Sequence, residues 1–389
     1  MRFRPMKKIR LFDLKLSQSA VREVTHVLKS GWLTSGPKVT ALEEAVGKLT
    51  GVRHAAAVSS CTSGLHLLLR AIELAPRARI ITTPFTFVAT VEAILLAGGK
   101  PVLADIDPVT LNVDPASVEA RLTDTTQAVV AVDVAGHPAD YPRLVPICRD
   151  AGIPLLADAA HSLGASVKGR STPQLADAAV FSFYSTKNLT CGEGGMVVSR
   201  HKPWIESVRR LARHGLSSDT YSRNLSGQWQ YDATELGLKA NLSDIHAAVG
   251  LGQLSRFATD QHKRRKLAHR YLTNLANFTE FVQLPSIRKH YEHAWHLFIL
   301  KLNLEVLSVD RERFIRLMAR RGIECGWHYR PVFDLSFYRD ALDLAREDFP
   351  NAVWAAQRVV TLPLYPGLRA YQVDYVCECI VSILRKHRR

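Results

Sequence analysis

No apolar run in this 389-residue chain approaches the roughly 20 residues that a membrane-crossing helix needs. A transmembrane protein is therefore not expected. The start, Met1-Arg-Phe-Arg-Pro-Met-Lys-Lys8, is basic and lacks the apolar stretch of a secretory signal. Met6 is read as an alternative first residue. The six cysteines (61, 148, 191, 325, 377 and 379) form no Cys-x-x-Cys pair and no metal-ligand spacing. No metal is expected, and reduced thiols in the cytoplasm are the economical reading. Low-complexity segments and internal repeats are also missing. Acidic residues are scarce, 36 against 51 Lys and Arg, for a formal charge of +15. The basic clusters at 263–266, 320–321 and 385–389 are scattered and lack interleaved aromatics. A nucleic-acid face would gather them on one surface with rings to stack bases, so solvated helix faces are the simpler reading.

What is present is alternation. Short apolar runs near 55–58, 79–83, 101–104, 128–133, 154–158, 178–182 and 195–199 read as strands. Helical stretches fall at 17–29, with Val21, Val24 and Leu28 on one face, and at 39–50, 64–74, 87–97, 115–122, 140–151 and 202–214. This order predicts an α/β fold with a mostly parallel seven-stranded sheet covered by helices on both faces. From Ser243 a long helix is expected toward Tyr271, then a strand over 295–302 and helices near 310–321, 350–360 and 372–386. The length favours more than one domain. The expected division is a large unit over 31–254 and a smaller α/β unit over 255–389, joined by an N-terminal helix within 1–30.

Three places carry chemistry. Lys187 follows the run Ala-Val-Phe-Ser182 by five residues, just before the glycine-rich 191–195. A partly desolvated lysine at a strand end is suited to Schiff-base chemistry, because burial favours the neutral, nucleophilic amine. Taken alone, it reads more readily as an ordinary strand-end lysine reaching for water. Asp158 closes the run Pro154-Leu-Leu-Ala, at the strand edge where open α/β sheets bind ligands. It reads either as a helix cap or as the acidic partner of the pyridine nitrogen of pyridoxal phosphate (PLP). The turn Ser59-Ser60-Cys61-Thr62-Ser63-Gly64 opens an apolar helix, where free N–H groups and the helix dipole suit a phosphate. A simple N-cap is the bland alternative. The three together, in this order, favour a PLP site.

At this point the chain resembles the DegT-type sugar aminotransferases, fold-type I PLP enzymes acting on nucleotide-linked keto sugars. The matching motifs cover nearly all of it: 31–38, Pro84-Phe-Thr-Phe-Val-Ala-Thr90, 136–140, 213–215, 237–244, His293-Ala-Trp-His296 and Leu362-Pro-Leu-Tyr-Pro366. The resemblance implies roles residue by residue. Lys187 is the Schiff-base lysine and Asp158 the pyridine partner. Phe87 stacks on the ring. His161 lies near the phenolic oxygen. Ser60, Cys61, Thr62, Ser63 and Ser182 surround the phosphate, and Asn241 reaches the same phosphate in a partner subunit. It further implies a homodimer with shared sites, an amino-acid donor (L-glutamate) and a ping-pong exchange between PLP and pyridoxamine phosphate (PMP). Lys239, His328, Tyr329 and Arg330 are candidate substrate contacts. A positive surface would steer an anionic nucleotide sugar inward.

The chain departs from the family pattern in places. Cys61 stands where glycine is usual, which questions the geometry of the phosphate cup. Phe333 ends a motif, His328-Tyr-Arg-Pro-Val-Phe333, whose last residue is commonly histidine. Gly237-x-Lys-x-Asn241 looks closer to the enzymes that aminate a 4-keto pentose on UDP. Sugar dehydratases of the same family replace the Schiff-base lysine with histidine, so Lys187 disfavours that reading. A non-catalytic regulator or a nucleic-acid-binding protein is suggested by charge alone.

Overall fold

A computed structural model of the chain describes residues 8–218, 220–227 and 229–389. The basic start and Met6 lie outside the described residues. The larger sheet holds β1 (His54–Val58), β2 (Arg79–Thr82), β3 (Lys100–Leu103), β4 (Thr126–Val132), β5 (Leu155–Asp158), β6 (Ala178–Ser182) and β7 (Gly195–Ser199). Their order is β1-β7-β6-β5-β4-β2-β3. The pairs from β6 through β3 are parallel, while β7 runs antiparallel to both β1 and β6. This is the mostly parallel, seven-stranded α/β fold that the alternation predicts.

The strands read as continuous apolar runs because both faces are covered. Successive side chains point to opposite faces. Ala55, Ala57, Val129, Ala131, Leu155 and Ala157 accordingly enter one core. Ala56, Val58, Ala128, Val130 and Leu156 enter the other. Helix α1 (Gln18–Ser30) starts at Ser17, whose hydroxyl accepts from the Ala20 N–H, and stops at Gly31 with φ of 75°. Its Val21 and Leu28 point outward, 50% and 57% exposed. Helix α2 (Cys61–Ala71) buries Leu65, Leu67, Leu68 and Leu69.

The second sheet, β8 (Val282–Gln283), β9 (Phe298–Leu302) and β10 (Val359–Leu362), is antiparallel throughout. Its own core includes Tyr271, Phe298, Leu300, Val360 and Ile380, together with Ile9 from the start of the chain. We propose on this basis that the smaller unit begins near residue 255. Helix α1 itself sides with the larger unit. It packs on α3 (Asp244–Leu254), so closely that a Cβ on Gly252 would lie 2.2 Å from the Ala20 Cα.

Three expectations need correction. The long helix from 243 to 271 is two helices, α3 and α4 (Phe257–Leu275). Hydroxyls of Ser17 and Ser255 both bond the Gly252 carbonyl at 2.8 Å, supplying the helix end with side-chain donors. The strand expected from 295 begins only at Phe298. Trp295 has φ of 52°, and Ala294 and Leu297 bond back to the carbonyls of Gly136 and Ala135. The helix near 350–360 ends at Arg358 and passes without a turn residue into β10, which the sequence reading missed.

Gly64 shows how tightly α2 sits on the sheet. A Cβ there would meet Val180 at 2.6 Å, Val58 at 3.1 Å and Val197 at 3.2 Å. Alanine gains about 1 kcal/mol of helix propensity, but overpacking typically costs about 1–3 kcal/mol. Gly64→Ala should therefore lower stability by about 1 kcal/mol net. A urea midpoint at or above that of the parent would show that the helix can lift.

Candidate active site

Because β1, β5 and β6 run the same way, their carboxyl ends meet at one edge of the sheet. A cavity of about 790 Å³ opens there. Asp158 and Lys187 both line it, as do Ser60, Cys61 and Thr62 from the start of α2. Phe87, His161 and Ser182 line it too, as do His328, Tyr329 and Arg330 from the C-terminal part of the chain. Ser63, Lys239 and Asn241 lie outside it. Ser63 is spent on the helix cap, exchanging bonds with Ser60. Lys239 donates to the Asn241 side chain (2.7 Å), which donates to Ser35 (2.6 Å).

Asp158 is buried. Burial raises its pKa, opposed by the hydroxyl of Thr90 (2.7 Å), the Ala160 N–H (3.1 Å), the positive charge of Lys187 and the Cys61 thiol (3.9 Å). Such a carboxylate is short of counter-charge, the condition that a protonated pyridine nitrogen relieves. Desolvation lowers Lys187 to about 8, with Cys61 and Asp158 pulling the other way. The loop carrying it is held firmly: Lys187 N bonds the Tyr184 carbonyl (3.0 Å), and Asn188 bonds Gln261 (2.9 Å) and the Ala294 carbonyl (2.8 Å).

His161 is buried and pushed well below its usual pKa, first by desolvation and then by Lys187. Its Nε2 shares a hydrogen bond with the Tyr329 hydroxyl at 2.8 Å, while its Nδ1 is buried without a partner. His296 is likewise lowered by burial and lies 4.4 Å from the His161 ring. The rings beside Lys187 are therefore neutral near pH 7. Phe87 is 60% exposed, its ring open to the cavity.

The cup rests on two features. The first N–H groups of α2, those of Cys61 and Thr62, have no intrahelical partner, and both residues line the cavity, while the Ser63 N–H is taken by the Ser60 hydroxyl. Gly195, the first residue of β7, abuts that turn so closely that a Cβ would lie 2.6–2.8 Å from Ser60 and Cys61 backbone atoms. Cys61 stands where glycine is usual, and one of glycine's two reasons is not at work here. It opens the helix without a left-handed backbone, and its thiol reaches the Val180 carbonyl at 3.5 Å. The other departure, Phe333, is fully buried and stacks on Phe349 at 5.5 Å, away from the cavity.

Thr90 and Asp133 were not expected. Thr90 sits on a helix (Ala89–Leu96) whose sequence reads as apolar core. Asp133 follows β4, and its carboxylate accepts from Ala139 N (2.8 Å), Tyr141 (2.9 Å), Ser162 (2.5 Å) and Thr172 (2.8 Å). Burial still pushes it up to about 6. It anchors the loop that carries His161.

A neutral-prone amine, a buried carboxylate and a helix N-terminus around one cavity suit PLP. The model of the DegT/DnrJ/EryC1/StrS aminotransferase family matches residues 15–381. The chain belongs to this family. It is 37% identical over 372 residues to the spore coat polysaccharide biosynthesis protein SpsC of Bacillus subtilis, covering 95% of each chain. Spr1654 of Streptococcus pneumoniae, solved in PLP and PMP forms, matches with a TM-score of 0.90 in the PMP form, 28% identity and coverage of 98% and 99%. DesI, solved in the presence of its TDP-sugar product, matches with a TM-score of 0.87, 29% identity and coverage of 99% and 94%. Family and fold together make this protein a PLP-dependent aminotransferase.

With Lys187 at about 8, roughly a tenth of its amine is neutral at pH 7. The rate at which cofactor-free enzyme captures PLP should climb from pH 6 and level off above about 8. Stopped-flow absorbance checks this; a climb continuing through pH 10 would mean an amine of ordinary basicity.

Proposed function

We propose that this enzyme moves an amino group from an amino acid, L-glutamate, to the keto carbon of a nucleotide-linked sugar, in two alternating half-reactions. The observation that carries this reading is the placement of Lys187 and Asp158 on one cavity, each partly stripped of water. Bound PLP supplies an electrophilic aldehyde and a ring that accepts electrons from the reacting carbon. The Asp158 carboxylate, braced by Thr90 and Ala160, holds the proton on the ring nitrogen. The Lys187 Nζ anchors the cofactor. Once displaced by the donor amine, it takes the proton from the donor's α-carbon and returns it on the way to product.

Thr62, Ser182 and the first-turn N–H groups of α2 receive the phosphate. Phe87 offers an apolar face to the ring. The His161–Tyr329 pair stands ready for the phenolic oxygen or for a sugar hydroxyl, with His328 and Arg330 at the mouth. Retention of lysine rather than histidine at 187 favours amination over dehydration. That the acceptor is a nucleotide sugar is supported by the TDP-sugar present with DesI.

A homodimer with shared sites is part of the proposal. It is supported by the outward apolar stripe of α1 and by Asn241, which is half-buried beside the start of α2, bridged to Val58, and outside its own chain's cavity. No described helix is long and apolar enough to cross a membrane, and work in the cytoplasm belongs to the same proposal.

Lys187→Ala should cut turnover with glutamate and UDP-, GDP- or dTDP-linked keto sugars by roughly 10²–10⁴-fold and abolish the visible band of lysine-bound PLP. Retention of both would end the reading. Mixing Lys187→Ala with Asn241→Ala subunits should restore part of the activity through hybrid dimers. If hybrids form, the Asn241 variant is inactive and nothing is restored, the sites are not shared.

A further inference from the structure

A second cavity, of about 680 Å³, lies on the other side of Lys187 and shares Phe12, Thr186 and Lys187 with the first. Its wall includes Arg264 of α4, only 4% exposed. The Arg264 Nη1 donates to the carbonyls of Trp295 (3.3 Å), His296 (3.4 Å) and Leu364 (2.9 Å), while its Nε has no partner. No carboxylate pairs with this buried guanidinium among the described residues. The two acids of the wall are engaged elsewhere: Asp260 with Arg256 (2.8 Å) and Lys263 (3.6 Å), Asp13 with Arg10 (3.7 Å). Lys15, Lys266 and Arg369 line the same cavity without an acidic partner among the described residues. A cation taken out of water is costly unless an anion answers it, and here only the field of Asp260, itself bonded to Arg256 and Lys263, offsets the burial of Arg264.

We propose that this second cavity is an anion-binding subsite for the part of a substrate that extends beyond the reacting atom. Its floor is Arg264 and its rim Lys15, Lys266 and Arg369. The ligand chemistry is a carboxylate or phosphate oxygen cluster. Opening onto Lys187 places such a ligand within reach of the reactive amine. The inference rests on the aminotransferase reading, under which two sources exist: the carboxylates of the amino donor and the diphosphate of the sugar substrate.

The test uses holoenzyme and two variants, Arg264→Met and the rim double variant Lys266→Glu/Arg369→Glu. One arm titrates UDP and inorganic pyrophosphate by calorimetry at two salt concentrations. The other follows conversion of the cofactor's visible band as L-glutamate is raised, giving half-saturation and limiting rate separately. The expected result is affinity weakened at least about tenfold in one arm, the usual cost of a lost charged hydrogen bond, with the limiting rate kept. Weakening for UDP and pyrophosphate assigns the diphosphate; weakening for glutamate assigns the carboxylate. Unchanged affinity in both arms overturns the proposal, and the rim variant decides if Arg264→Met fails to fold. Parent enzyme that binds PLP but does not respond to any amino donor would sink the aminotransferase reading instead, leaving the calorimetric arm to judge the cavity.

Discussion

Everything at this site depends on two opposite charges held out of water beside the same cavity. Asp158 is an acid that burial would rather protonate, and Lys187 an amine that burial would rather leave neutral. Each moderates the other, and neither is fully satisfied by the protein alone. That leaves room for a ligand with a basic ring nitrogen at one end and an electrophilic carbon at the other. The fold creates this condition by ending two neighbouring strands, β5 and β6, at the same sheet edge.

Around the pair, hydrogen bonds replace solvent as the means of control. Thr90 and the Ala160 N–H brace the carboxylate. Asn188 ties the lysine loop to α4 and to the Ala294 carbonyl, so the smaller unit helps to fix the amine. Asp133 ties the His161 loop, through Ser162, to Ala139, Tyr141 and Thr172 in the same manner. Net dispersal of charge is avoided, because the imidazoles of His161, His296 and His328 are all kept neutral by burial.

The large sheet was legible because its strands are buried on both faces and read as short apolar runs between helical ones. Lys187, Asp158 and the Ser60–Thr62 turn stood out for the same reason: polar groups at the ends of apolar runs are conspicuous. Thr90 was hidden, being a small hydroxyl among apolar helix neighbours. Asp133, at the end of the run 128–133, was hidden because its four partners come from three separate stretches of the chain: 139–141, Ser162 and Thr172. Strand β10 was lost because Arg358 to Val359 offers no turn residue. The break between α3 and α4 was lost because hydroxyls from Ser17 and Ser255, one of them distant in sequence, end the helix. Cys61 shows the converse. Its departure from glycine is not opposed by the backbone, which is helical at this position and not left-handed.

The lone antiparallel strand β7 has a consequence for how the enzyme is made. It slots between β1 and β6, with Gly195 opposite both Val58 and Ser182, so β1, at the edge of the sheet, has no strand partner until the chain just past Lys187 has emerged. Pairings so remote in sequence form slowly. One strand thereby joins the run that leads into α2 to the run that leads toward Lys187, so the two sides of the cavity share a single distant pairing.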